Sequence, residues 1–64
     1  MNGQETKSDF GKVKDVCVRL NMSRTALYGI MDRGELSYTK FGRSRRIRWS
    51  EVERYIERQT VAVR

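Results

Sequence analysis

The residues of this chain with a specific chemistry to offer are its arginines. Five cations, Lys40, Arg43, Arg45, Arg46 and Arg48, fall within nine positions with no acid among them. A guanidinium stays charged at any ordinary pH and presents a fork of donors that fits a phosphate or a base edge. A same-sign run of this kind raises self-repulsion unless a partner relieves it, so it points to a polyanion. The imidazole that most often serves acid–base and nucleophilic chemistry is missing. There is no His, and the one Cys, Cys17, lacks an imidazole to activate it. One Cys without His cannot assemble a structural zinc site or an internal disulfide. The expectation is a binding module that is not an enzyme and needs no cofactor or metal.

Composition narrows the class. In 64 residues, 14 Lys and Arg stand against 8 Asp and Glu, a net charge of +6. The excess lies wholly in residues 19–48, which hold eight cations against Asp32 and Glu35; both flanks are neutral. A chain this short buries only ~60% of its unfolded surface, so one small core is expected. No apolar run approaches the ~20 residues that cross a bilayer, and no hydrophobic signal segment opens the chain. A soluble protein of the cytoplasm, away from membranes, is the corresponding expectation.

The elements that must position the cations follow from periodicity. Residues 1–9 are polar and aperiodic and read as a disordered leader, with Phe10 a lone anchor at the start of the ordered part. Val13, Val16, Cys17 and Leu20 form one stripe of a two-turn helix, in which Cys17 serves as a small buried hydrophobe. Asn21 tolerates the left-handed conformation of a short turn. Ser23 is an N-cap for a second helix, which buries Leu27, Ile30 and Met31 and stops at Gly34. Gly29 sits within it, free to allow a close approach by the first helix or by a ligand. Two short strands, 38–41 and 46–49, place Phe41, Ile47 and Trp49 inward. Gly42-Arg43-Ser44-Arg45 reads as the hairpin loop between them. Ser50 and Glu53 form a capping box for a third helix with Val52, Tyr55 and Ile56 as its buried stripe. Residues 10–59 thus form one domain, and 60–64 a tail whose Val61 and Val63 no helix stripe explains.

The fold class predicted is mainly α with a small β-hairpin: a winged helix-turn-helix. In that motif the second helix enters a major groove, which is ~12 Å wide. Ser23, Arg24, Thr25 and Tyr28 are its candidate contacts. Arg24 can bond a guanine edge, Thr25 can pack its methyl on thymine, and the Tyr28 hydroxyl can reach a phosphate. Arg24 in the first turn opposes the helix dipole, a cost an anionic ligand would offset. In the wing, Arg43, Ser44 and Arg45 are placed to meet a minor groove or its phosphates. Lys40, Arg46 and Arg48 share the polar strand face, where phosphate contact and pairing with Glu51 or Glu53 are both open.

Residues 11–58 resemble the excisionase family of phage and mobile-element proteins, whose winged helix-turn-helix is related to that of mercury-resistance-type (MerR-like) regulators. The matching motifs are Ser23-Arg24, Gly34-Glu35-Leu36, Lys40-Phe41-Gly42-Arg43 and the cap at Ser50. Where family members often carry Pro, this chain has Ser37 and Arg48. The resemblance implies a recombination directionality factor: a DNA-bending protein that binds double-stranded DNA at attachment-site repeats. It would associate cooperatively with copies of itself there and assist an integrase in excision. A second reading is a small prophage or mobile-element transcriptional regulator of the same fold. A third, of another class, is a basic protein-interaction module or inhibitor.

Overall fold

The computed structural model describes residues 9–62. Along the chain lie β1 (Phe10–Lys12), α1 (Val13–Leu20), α2 (Arg24–Asp32), β2 (Thr39–Phe41), β3 (Ser44–Arg48) and α3 (Trp49–Gln59). The leader reading falls outside the described residues except at Asp9, and the tail reading does so at Val63 and Arg64.

Helices α1 and α2 form the helix-turn-helix through local signals. Asn21 adopts φ 55° and ψ 51°. From there its N–H bonds the Val18 carbonyl at 3.2 Å and the Met22 N–H bonds that of Cys17 at 3.0 Å. These bonds satisfy carbonyls the helix end leaves open and turn the chain within three residues. Ser23 then accepts the Ala26 N–H on its Oγ at 3.1 Å, a cap that starts α2. Gly34, at φ 79°, closes α2 in the same way, with the Glu35 N–H on the Ile30 carbonyl at 2.8 Å. Gly29 meets only the tip of Arg33 within 4 Å, so no part of the fold approaches it closely.

The sheet departs from the sequence expectation. It has three antiparallel strands in the order β1-β3-β2. Phe10 is no lone anchor: it pairs with Arg48, Gly11 with Ile47 and Lys12 with Arg46. This segment carries no alternating pattern, and only its partner, more than thirty residues on, makes it a strand. The wing turn is also tighter than expected. Phe41 pairs with Ser44, leaving Gly42 and Arg43 as a two-residue turn in which Gly42 takes φ 63°. A positive φ at the first central position is what a type II′ hairpin turn requires.

The third helix begins one residue earlier than Ser50. Trp49 opens it, and Arg48 stands at its N-cap without a side-chain cap. The capping box is not formed: the helix has already started at Trp49, and Glu53 is engaged elsewhere. The Trp49 N–H extends the sheet pairing to the Asp9 carbonyl at 2.9 Å, and Glu53 takes Arg19 Nη2 on both oxygens at 3.1 and 2.9 Å, tying α1 to α3.

Val16, Cys17, Leu27, Ile30, Met31, Leu36, Ile47 and Val52 form the core. Leu36, read from sequence as part of a helix stop, is 1% exposed, whereas Phe41 is 52% exposed. Strand pairing explains Phe41. Its partner Ser44 shares a strand parity with Arg46 and Arg48, opposite to Ile47, so Phe41 lies on the sheet's outer face. There its ring meets Phe10 edge-on, centroids 5.5 Å apart. Trp49 lies flat against Gly11: a Cβ at position 11 would sit 2.4 Å from its Cζ2.

Two outcomes test this packing. Gly11→Ala is expected to destabilise the domain by about 1–3 kcal/mol through overpacking, while Gly29→Ala stabilises it by about 0.5–1 kcal/mol through helix propensity; thermal denaturation reads both. Near the end of α2, the Arg33 guanidinium bonds Glu35 at 2.9 Å and holds its carboxyl below the ordinary value. Stabilisation by such a depressed carboxylate is complete above the ordinary pKa and disappears as pH falls through the lowered one. The gap in melting temperature between wild type and Arg33→Ala is therefore expected to close on acidification below the carboxylate range.

Candidate nucleic-acid interface

A groove runs between the start of α2 and the wing. Lys12, Lys14, Arg24, Arg43, Arg45 and Arg46 all contribute to it, together with Tyr28 and Ser44, and no carboxylate among the described residues lines it. Arg24 stands on the first turn of α2, which holds no acid. Arg43 occupies the wing turn. Neither makes a hydrogen bond or ion pair among the described residues, and both are exposed. Six cations converging on one channel repel each other and focus a positive potential along it. Donors from a helix N-terminus and from a hairpin thus face one elongated space, the arrangement that admits a duplex backbone between a groove-reading helix and a wing.

The sequence-derived residues sort into three groups. Arg24, Tyr28, Arg43, Ser44, Arg45 and Arg46 come together in the groove. Ser23 and Thr25 are exposed beside it at the start of α2, with the Ser23 oxygen committed to its cap. Lys40 and Arg48 lie outside it. Lys40 is exposed on β2, and Arg48 covers the Phe10 ring at 4.6 Å at the far end of β3. Neither Arg46 nor Arg48 pairs with the third helix's acids: Glu53 holds Arg19 and Glu51 lies 3.8 Å from Arg54.

Arg45 differs from its neighbours. The sequence suggests a loop residue with no core to serve. In the structure it is the second residue of β3, and it shares the parity of Ile47, so its side chain turns toward α2. Its guanidinium lies 4.8 Å from the Tyr28 ring centroid and 4.5 Å from that of Tyr38, and 3.5 Å from Asp32. Lys12 and Lys14 were not legible as site residues, since the segment that holds them is neutral overall. The pairing of β1 with β3 brings them to the groove.

Comparison with known proteins agrees with this architecture. A family model described as a helix-turn-helix domain matches residues 12–60. The chain belongs to that helix-turn-helix family. No curated protein and no solved structure matches it. The family includes excisionase-like DNA-binding domains, and membership indicates binding to double-stranded DNA. Among the described residues no helix is long and apolar enough to cross a membrane.

If the groove follows a phosphate backbone, Lys12→Ala combined with Lys14→Ala weakens binding to every duplex alike. Each lost phosphate contact flattens the slope of log K against log salt by about 0.9, so the pair is expected to remove about 1.8. Fluorescence anisotropy over a salt series checks this.

Proposed function

We propose that this protein is an excisionase: a sequence-specific DNA-binding and DNA-bending accessory factor that performs no chemistry itself and directs an integrase toward excision of a phage or mobile element. The observation that carries the DNA-binding core of this reading is the carboxylate-free groove joining Arg24 on α2 to Arg43 on the wing. In it α2 enters the major groove, with Arg24 and Thr25 toward base edges, while Arg43 meets the flanking backbone or minor groove. The Ser23-Arg24, Gly34-Glu35-Leu36 and Lys40-Phe41-Gly42-Arg43 motifs support the finer assignment, since they resemble the excisionase pattern.

The energetics favour action in numbers. A single module of this size buries roughly 600–1,000 Å² on DNA, too little for high specificity alone. Bending a 20–30 bp site costs on the order of 1–6 kcal/mol, and several copies on adjacent attachment-site repeats can supply that from phosphate contacts. Partners in this reading are therefore the duplex, further copies of the chain and an integrase.

Electrophoretic shifts on the attachment DNA of the encoding element, paired with an excision assay, test the role. Stepwise bands and a gain of excision are expected. Promoter occupancy and changed transcription without any effect on excision would replace the role with that of a regulator. For five to six neutralised phosphates, log K falls with log salt at a slope of about −5; affinity indifferent to salt would remove DNA as the partner. Arg24→Ala is expected to cost about 1–3 kcal/mol on the preferred site and less on random duplex. An unchanged ratio between the two would exclude Arg24 from base reading.

A further inference from the structure

Of the six groove cations, Lys12, Lys14, Arg24 and Arg43 are exposed and Arg46 donates to the Arg45 carbonyl at 3.2 Å, whereas Arg45 is held by other side chains. Its side chain is 24% exposed, and its guanidinium lies close to two aromatic rings that come from different elements. Tyr28 belongs to α2, and Tyr38 to the segment that leads into β2. Asp32, one turn beyond Tyr28 on α2, approaches it at 3.5 Å. That distance is long for a charge-assisted hydrogen bond, so the rings supply most of the hold. The placement also has an opposing term. Lys40 pairs directly with Arg45 across the β2–β3 ladder, and like charges opposite one another destabilise a sheet. A cation persists there because Tyr28, Tyr38 and Asp32 compensate it. The base of the wing hairpin is anchored by Ile47 in the core and by the pairing of β3 with β1, which leaves its tip to be fixed against α2. The turn is two residues long, and Phe41 beside it is 52% exposed, away from the core.

We propose that Arg45 is a positioning residue. Held between Tyr28 and Tyr38, it sets the distance between the reading helix and the wing, and it does not neutralise phosphate. This rests on the duplex-binding reading above and deepens it, since a wing held at a set spacing selects duplexes whose groove width matches. Tyr28, in turn, acts through its ring against Arg45 rather than through its hydroxyl on a phosphate.

The test has one arm without DNA and one with it. In the free protein, NMR order parameters at Gly42 and Arg43 are expected to fall from about 0.85 to below about 0.6 in both Arg45→Met and Tyr38→Ala. Tyr38→Phe, which keeps the ring, restores them. A hairpin that stays rigid in both variants overturns the proposal. On a duplex selected from a random pool, both variants weaken binding roughly 3- to 30-fold with the wild-type salt slope, and combining them adds little. A slope flattened by about 0.9 in Arg45→Met, with full affinity in Tyr38→Ala, would make Arg45 a phosphate ligand and overturn the proposal. Should wild type bind no duplex in a salt-dependent way, the DNA reading falls, and the hairpin measurement alone decides the clamp.

Discussion

Strand β3 is paired on both edges, with β1 on one side and β2 on the other, and its two-residue alternation governs the rest of the molecule. Ile47 and Arg45 point to the helix-covered side of the sheet, Ile47 into the core and Arg45 onto the tyrosines. Ser44, Arg46 and Arg48 take the other face with Phe10, Lys12 and Phe41. A slip of one residue in that pairing would exchange the two sets, sending Ile47 to solvent and three polar side chains toward the core. Burial of Ile47, which is 0% exposed, is therefore what holds the cations in their places.

The electrostatics follow from the same arrangement. A small domain has only a few kcal/mol of stability to spare, and converging cations draw on it. The fold limits that repulsion by keeping Arg24, Arg43, Lys12 and Lys14 exposed, where solvent screens them, and by giving the less exposed Arg45 two rings and a carboxylate. Outside the groove, several arginines are matched by acids. Arg19 holds Glu53, and Arg33 holds Glu35, whose backbone carbonyl also accepts Arg58 Nη2 at 2.6 Å. These pairs brace α1 against α3 and the end of α2 against α3. The helix-turn-helix is thereby tied to α3, while its cations Lys14 and Arg24, unpaired among the described residues, face the groove.

Legibility in the sequence tracks the range of the interaction. The Ser23 cap, the left-handed Asn21, the Gly34 stop and the stripes Val16-Cys17 and Leu27-Ile30-Met31 are local, spanning four or five residues, and each is readable from residue type and spacing. Strand β1 was not, because Phe10, Gly11 and Lys12 become a strand only by pairing with residues 46–48. The capping box at Ser50 and Glu53 is a local pattern that does not form: the helix opens at Trp49, whose N–H bonds the distant Asp9 carbonyl, and Glu53 takes the distant Arg19. Phe41 and Leu36 exchanged roles for a related reason: local alternation marks Phe41 as inward and the helix-stop motif gives Leu36 no core role, whereas strand parity exposes the first and the path out of α2 buries the second.

The chain's amino acids on their own determined a helix-turn-helix followed by a cationic hairpin and a closing helix, along with the concentration of positive charge in residues 19–48. Those properties arise from caps, turns, periodicity and composition, which act over a few bonds. Only the tertiary structure decided which cations share a channel. It brought Lys12 and Lys14 in, left Lys40 and Arg48 out, and enclosed Arg45 between two rings. The reason is that a side chain's direction on a strand depends on register, and register is set by which distant segment pairs with it.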